Sequence, residues 1–298
     1  MIIVIVGPTA VGKTKLSIEL AQKFNAEIIC VDSLVVYRDF NIGTAKPSSE
    51  ERKLVPHHVL DFVAPTELFT AHDFCEAATA AMADVQKRGK NVFLVGGSGL
   101  YLKALTHGMF KAPPSDPQIR EALEERLSQD PKALYEELCL VDSKTSHAIH
   151  PNDHYRILRA LEVYQMTKKP FSRYHEEHVP KKRGTEKIVK IGLTLDREVL
   201  YRRIEERTAR MHRKGLVEEV QDLQKKYPLS CKPFKSVGYK ETRQFLNHEI
   251  TQEELLERIN QATRQLAKGQ WTWFRADPEI QWFLPTDSQI SHKIAELL

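Results

Sequence analysis

Eight residues, Gly7-Pro-Thr-Ala-Val-Gly12-Lys13-Thr14, carry the first chemistry in the chain. They fill the GxxxxGK[ST] pattern completely, between an apolar run and an amphipathic stretch. The glycines let the backbone curl so that successive N–H groups point inward, and the start of the following helix adds positive potential. Lys13 supplies a mobile positive charge, and the Thr14 hydroxyl suits Mg²⁺. Such a loop holds phosphates; what happens to them is decided elsewhere. A nucleotide hydrolase ends a later strand in an acidic residue that organises Mg²⁺ and water. Here the run NVFLV (91–95) ends in Gly96-Gly97-Ser98, and the apolar run that does end in aspartate is the early IICVD, closing on Asp32. No NKxD guanine-reading element occurs, and the dinucleotide pattern around Gly97-Ser98-Gly99 fails at Leu102. Hydrolysis is disfavoured. Asp32 ends a strand where open α/β sheets gather ligand-contacting groups. It reads as a carboxylate base, as a Mg²⁺ ligand, or as a turn or cap aspartate with Ser33.

The elements that must position these groups follow from hydrophobic pattern. IIVIV (2–6) is a continuous β-branched run ended by glycine, as in a buried parallel strand. From Thr14, Leu16, Leu20 and Phe24 with Ile18 and Ala21 share one helical face. Further strands are expected at 27–31, 91–95 and 188–195. Strand, helix, strand at this spacing predicts an α/β fold, a doubly wound parallel sheet. The texture changes between Pro113 and about Thr185. Asp116-Pro117 and Asp130-Pro131 each place a cap before a first-turn proline, and Ile119, Leu123 and Leu127, then Leu134 and Leu138, follow at four-residue spacing. Asp142 and Asn152/Asp153 give further helix starts, and the last helix runs to about Lys168. An all-helical insertion is expected at 115–185, closed by the basic KKRGTEK (181–187), with the core formed by 1–114 and 186–298. Helical stretches around 197–226 and from Thr251 to about Phe274 complete the core.

Composition bounds the setting. The chain has 298 residues, 41% apolar and 28% charged, as in a globular protein with a real core. Four cysteines without a CxxC pair fit a reducing, cytoplasmic compartment. The apolar start runs straight into the glycine loop and reads as a strand, not a signal peptide; no apolar run approaches the roughly 18 residues of a membrane span. A formal charge of +4 permits a nucleic-acid partner without requiring one. Arg203, Arg207 and Arg210 share a helical face beside Glu205/Glu206, which reads as a solvated, salt-bridged surface. His57-His58 lacks a third ligand at metal spacing and reads as structural or substrate-lining. Trp271 and Trp273 read as core packing, and a monomer is the default.

Taken together, GPTAVGKT, DS-x-x-x-Y with NIGTAKP, PHHVLDF, GGSGLY, RIEERTARMHRKGLVEEV, KSVGYKE and TRQLAKGQWTWFR resemble, in order and over essentially the whole chain, the tRNA dimethylallyltransferase (tRNA isopentenyltransferase) family of bacterial type. The resemblance implies a P-loop core with a helical insertion for tRNA. It also implies prenyl transfer: dimethylallyl diphosphate donates its five-carbon group to the exocyclic amine of the adenine 3′ to the anticodon, and diphosphate leaves. Thr9, Ala10, Val11, Gly12, Lys13 and Thr14 would hold the diphosphate, with Mg²⁺ on Thr14, and Arg207 aligns with the family's diphosphate-clamping arginine. Asp32, ionised at neutral pH with a reference pKa of about 4, would take the amine proton. Ser98 stands where the family carries a hydroxyl; it reads either as a hydrogen-bond donor to the leaving group's bridging oxygen or as a turn serine. The tRNA contacts carried over are Asp32, Ser33, Leu34, Val35, Ser98 and Arg120. Many members have Met-Gln where this chain has Leu34-Val35, so base reading there falls to apolar packing or backbone. KKRG (181–184), Arg264 and Lys268 add basic groups for phosphates. The competing functions are a P-loop small-molecule kinase, with Asp32 activating a hydroxyl, and a nucleotide-switched RNA-binding protein.

Overall fold

Strand β1 (Ile2–Val6) is buried along its whole length, and its side chains alternate between two cores. Ile2, Val4 and Val6 enter one cluster, Ile3 and Ile5 the other, as the two-residue period of a strand requires. In the computed structural model, which describes residues 2–110, 113–177 and 188–296, the chain divides into two units: Met1–Thr106 with Arg183–Leu298, and His107–Lys182.

In the first unit β1 leads into α1 (Lys13–Lys23), then β2 (Ala26–Val31), α2 (Ser49–Leu54), β3 (His57–His58), α3 (Ala71–Lys87), β4 (Asn91–Gly96) and α4 (Gly99–His107). The second unit, at His107–Lys182, contains α5 (Pro117–Gln129), α6 (Pro131–Val141), α7 (Ser143–Ala148), α8 (His154–Thr167) and α9 (Phe171–Glu177). The first unit resumes with β5 (Ile188–Leu193), α10 (Arg197–Arg213), α11 (Leu216–Lys226), a 3₁₀ turn at Lys232–Lys235, α12 (Tyr239–Leu246), α13 (Gln252–Arg275), β6 (Ile280–Phe283) and α14 (Gln289–Ala295). The six strands lie in the order β3-β2-β4-β1-β5-β6, every neighbouring pair parallel. This is the expected α/β sheet, with helices burying both faces.

Register fixes what meets at the carboxyl edge. Val6 pairs with Gly96, and Gly96 with Val31, so Gly7, Gly97 and Asp32 leave three adjacent strands at one level. The strands approach too closely there for a side chain: a Cβ on Gly96 would stand 2.0 Å from the Val31 carbonyl oxygen. Gly7 has φ 145° and a Cβ on it would meet the Leu193 carbonyl oxygen at 2.5 Å.

Several boundaries differ from expectation. The stretch at 197–226 is two helices, broken at Gly215, whose φ of 94° suits glycine. The 188–195 strand stops at Leu193. Strands β3 and β6 were not anticipated: two and four residues are too short to show a period. KKRGTEK lies outside the described residues.

The second unit is helical throughout its described elements. Asp116, Asp130, Asp142 and Asp153 each accept a backbone N–H two or three residues on, so the Asp-Pro signals act as true caps. Leu123, Leu134, Leu138, Ile157, Leu158 and Leu161 form its core. The unit begins at His107 rather than 115. Glu162, fully buried on α8, accepts from the Asp116 amide at 2.9 Å and pairs with Arg159 at 2.8 Å. Among the described residues, no helix is long and apolar enough to cross a membrane.

Candidate active site

A cleft of about 920 Å³ opens at the carboxyl edge of the first unit's sheet. Thr9, Lys13, Thr14, Asp32, Arg207 and Gln270 are among its lining residues. The phosphate loop forms one side. Ala10 takes φ 65° and Gly12 φ 112°, which curls the chain ahead of α1, while Val11 is fully buried and anchors the loop. Lys13 Nζ folds back to donate to the Gly7 and Pro8 carbonyls, both at 2.9 Å. Burial pushes the Lys13 ammonium down to about 7; Arg207 acts in the same direction and Asp32 against it.

Helix α10 supplies the opposite side, and here the solvated-face expectation is corrected for Arg203, whereas Arg210 is exposed as expected. Leu200, Ile204 and Thr208 bury one stripe. The adjacent stripe of Arg203, Arg207 and Arg210 lines the cleft. Arg207 Nη1 donates to Thr9 Oγ1 at 2.8 Å, and Arg203 Nη1 to the Val11 carbonyl at 3.0 Å. Spacing alone could not separate this face from an exposed one, because the partner is a loop almost 200 residues away. Arg202 and Arg213 are exposed, as expected.

Asp32 is half-buried and lines the cleft. Its Oδ1 accepts from the Leu34 amide at 2.8 Å and the Val35 amide at 3.4 Å. The turn reading is thus seen on Oδ1, and these two bonds leave Oδ2 unengaged. Burial raises the carboxyl above its ordinary value, and the two amides, Lys13 and Arg207 oppose this. Val35 is buried and lines the cleft; Ser33 and Leu34 are half-buried beside it. Ser98 bonds the Val31 carbonyl through its amide at 3.2 Å and opens α4, while the cleft lining on this strand end is Gly96 and Gly97. Arg120 lies on α5 of the helical unit, paired with Glu124 at 2.8 Å and 5.4 Å from the Tyr155 ring.

Two groups were missed from sequence. Gln270 on α13 accepts from the Thr9 amide at 2.7 Å through Oε1 and donates to the Gly97 carbonyl at 3.1 Å through Nε2. Glu219 on α11 accepts from the Asn41, Ile42 and Gly43 amides at 3.1, 2.8 and 3.3 Å, and from Tyr239 Oη at 2.6 Å. It thereby holds NIGTAKP as a cleft wall. A glutamine and a glutamate in helical runs carry no sequence signal for such contacts. His57 lines the cleft with Nδ1 2.8 Å from the Val55 carbonyl, whereas His58 Nε2 lies 2.7 Å from buried Glu27. Trp271 packs on the core, while Trp273 is 41% exposed with its indole against Gly99. Arg264 pairs with Glu205.

The donor set fits Mg²⁺ held mainly by phosphate oxygens. Thr14 brings a hydroxyl to the cleft beside Lys13, and a Mg²⁺ ion usually keeps waters and takes few protein ligands. Among the described residues no cluster of three or more His, Cys, Asp or Glu could hold a metal alone. The cleft's charge balance is the decisive feature. Lys13 and Arg207 stand together near the Asp32 carboxylate, with Arg203 and Arg210 on the same wall, and Glu51 and Glu206 are the other acidic residues of the lining. The excess of cations around the loop suits a polyanion.

Comparisons with known proteins agree. The IPP transferase family model matches residues 35–277, beginning just beyond the phosphate loop and Asp32. A tRNA dimethylallyltransferase of Geobacter metallireducens is 46% identical over 285 residues, covering 94% of this chain and 91% of that protein. The tRNA dimethylallyltransferase 1 of Trichlorobacter lovleyi is 46% identical over 297 residues, covering 99% and 97%. Among solved structures, a full-length tRNA isopentenylpyrophosphate transferase from Bacillus halodurans is similar with a TM-score of 0.70 and 38% identity, covering 99% of this chain and 93% of that one. A eukaryotic dimethylallyltransferase solved acting on tRNA gives a TM-score of 0.80 at 32% identity, covering 99% and 76%. With this sequence likeness spanning phosphate loop, cleft walls and helical insertion alike, the chain belongs to the IPP transferase family.

Proposed function

We propose that the protein transfers a dimethylallyl group from dimethylallyl diphosphate to N6 of the adenosine 3′ to the anticodon, tRNA position 37, and releases diphosphate. The observation that carries this reading is the register that sets a cation-rich phosphate loop level with one carboxylate, Asp32, beside a strand end of Gly-Gly-Ser. A diphosphate is recognised, and no acidic group is spent on activating water.

The chemistry follows from the residues. The bond between the allylic carbon and the bridging oxygen breaks, and its electron pair leaves on diphosphate. The loop amides, Lys13 and Arg207 stabilise the charge that develops there. Thr14 would hold Mg²⁺ together with diphosphate oxygens, and the ion would add positive charge to the leaving group. The adenine amine is a poor nucleophile because its lone pair is delocalised into the ring. Its nitrogen forms the new bond to carbon while Oδ2 of Asp32 accepts the proton, later lost to solvent. The raised pKa makes Asp32 a stronger base than an exposed aspartate, and the Leu34 and Val35 amides, Lys13 and Arg207 act against that rise.

The target adenine leaves its stack to reach this base, at a cost of a few kcal/mol. Ser33, Leu34 and Val35 line its approach, and Ser98 serves the leaving group or the turn. The helical unit, with Arg120 on its surface, holds the RNA arm. The protein works as a monomer in the cytoplasm. Incubation with labelled dimethylallyl diphosphate, Mg²⁺ and tRNA tests the reading: label enters the tRNA, and its absence there refutes the reading.

A further inference from the structure

The lining of the cleft changes character below Asp32. Around the phosphate loop it is largely polar or charged, whereas on the sheet face that α1 covers it includes Ile28, Cys30 and Val95, three members of the buried core. Ile28 and Cys30 lie on β2 and Asp32 directly follows it, at the two-residue spacing that places side chains on one side of a strand. All three line the cleft. Register sets Cys30 beside Val95 on β4 and Ile28 beside His57 on β3. With a rise of about 3.3 Å per residue, Cys30 lies about 7 Å and Ile28 about 13 Å back along the strand from Asp32. An apolar strip therefore leads away from the base on the side where Lys13, Thr14 and Ser17 of α1 also line the cleft.

The strip does not call for a polar ligand. Ser17 donates its hydroxyl proton to the Thr14 carbonyl at 3.0 Å. Burial pushes the Cys30 thiol up to about 12, so it stays protonated and behaves as a small apolar group. In that form it does not compete with the adenine amine for the allylic carbon. The His57 ring stands at the level of Ile28, with Nδ1 2.8 Å from the Val55 carbonyl, and ends the strip with a polar group. An adenine laid on the strip would bury its ring nitrogens without partners, which a hydrocarbon does not. The hydrocarbon is also the part of the donor bonded to the diphosphate, so it starts beside the loop.

We propose that Ile28, Cys30 and Val95 form the donor's hydrocarbon subsite and set the length it admits. The small Cys30 side chain leaves room for a five-carbon group beside Asp32, and Ile28 with the His57 ring stops a ten-carbon one. This rests on the proposed function, because it names the part of the same cleft that the donor's carbon chain occupies. The three residues bind and select; none takes part in making or breaking a bond.

The test compares dimethylallyl diphosphate, geranyl diphosphate and inorganic diphosphate on Cys30→Leu and Ile28→Ala, each shown by thermal unfolding to be folded. Cys30→Val and Ile28→Val carry the same readouts where the larger change is not tolerated. One methylene in an apolar pocket is worth about 10- to 200-fold in kcat/KM. Cys30→Leu fills the strip: kcat/KM for dimethylallyl diphosphate should fall about tenfold or more, with inhibition by inorganic diphosphate and tRNA affinity at wild-type values. Ile28→Ala lengthens the strip, and the ratio of kcat/KM for geranyl over dimethylallyl diphosphate should rise about tenfold or more. An unchanged kcat/KM in Cys30→Leu, or one that falls only in step with weaker inhibition by inorganic diphosphate, overturns the proposal. So does an unchanged donor ratio in Ile28→Ala. The two readings fail separately: wild-type protein that prenylates no tRNA refutes the proposed function, whereas prenylation with donor preference unmoved in both variants refutes only the subsite.

Discussion

Gln270 joins Thr9 to Gly97: one carboxamide accepts from the amide of the phosphate loop at 2.7 Å and donates to the strand-end carbonyl at 3.1 Å. Donor and acceptor are matched to opposite ends of the side chain, and a Cβ on Gly97 would stand 2.3 Å from Nε2. The spacing between leaving-group holder and strand end is thus set by a residue on a distant helix.

Replacing Gln270 by Ala frees both ends. The expected result is a fall in kcat of about tenfold or more, because small misplacements of reacting groups are costly. The KM for tRNA should stay near wild type. Gln270→Glu keeps the acceptor and loses the donor, and it should lose turnover as well. Steady-state kinetics with each substrate varied in turn checks both variants.

Asp32→Asn keeps shape and removes the charge. Turnover should fall by roughly 10²- to 10⁴-fold, the range for a positioned base, while tRNA affinity remains. In the wild type, kcat/KM should rise with pH through a pKa above the ordinary aspartate value, since burial raises the carboxyl and the base must be ionised. A pH–rate profile beside tRNA binding measurements reads both effects.

Lys13 couples diphosphate binding to protons. Free of ligand its ammonium titrates at about 7, and a bound polyanion raises that value. Below pH 7 the lysine is already charged, so binding takes up little. Above pH 7 binding should take up close to one proton, and affinity should fall as pH rises, by up to tenfold per unit. Calorimetry in buffers of different ionisation enthalpy measures the uptake, and Lys13→Met should abolish it.

Glu27 is a stability prediction. Its carboxylate, buried on β2, meets Arg88, Lys90 at 2.8 Å and His58 at 2.7 Å, with Arg88 the chief cause holding it far below the usual range. Glu27→Ala removes the acceptor these three groups share, although Arg88 keeps Asp84, and should cost about 2 kcal/mol. In the wild type the carboxyl's contribution is present above the ordinary glutamate pKa and is lost as pH falls below it. Denaturant unfolding at neutral and acidic pH checks both.

What the sequence made legible had local causes. Gly7–Thr14 announces itself because the loop's curl needs glycines at fixed offsets. The helices after Asp116 and Asp130 are readable because a cap and a first-turn proline stand side by side. Asp32 was visible as the end of an apolar run. Arg207 stood out only through the family resemblance, and Arg203 was misjudged because its partner is on a loop nearly 200 residues away, and a helical stripe does not reveal which face meets it. Gln270 and Glu219 were invisible for the same reason: their partners are mostly backbone amides and carbonyls brought close only by the folded sheet. Strand β6 escaped because its four residues gain strand character from pairing with β5, not from their own pattern.

The central claim is that the phosphate loop holds a departing diphosphate while Asp32 takes a proton from an adenine amine. Its most direct test is a single-turnover reaction of wild-type protein with dimethylallyl diphosphate and tRNA, followed by digestion of the tRNA and mass analysis of its nucleosides. The predicted result is one N6-dimethylallyladenosine, located 3′ to the anticodon, for each diphosphate released. Diphosphate released without that nucleoside, or no diphosphate released at all, would contradict it.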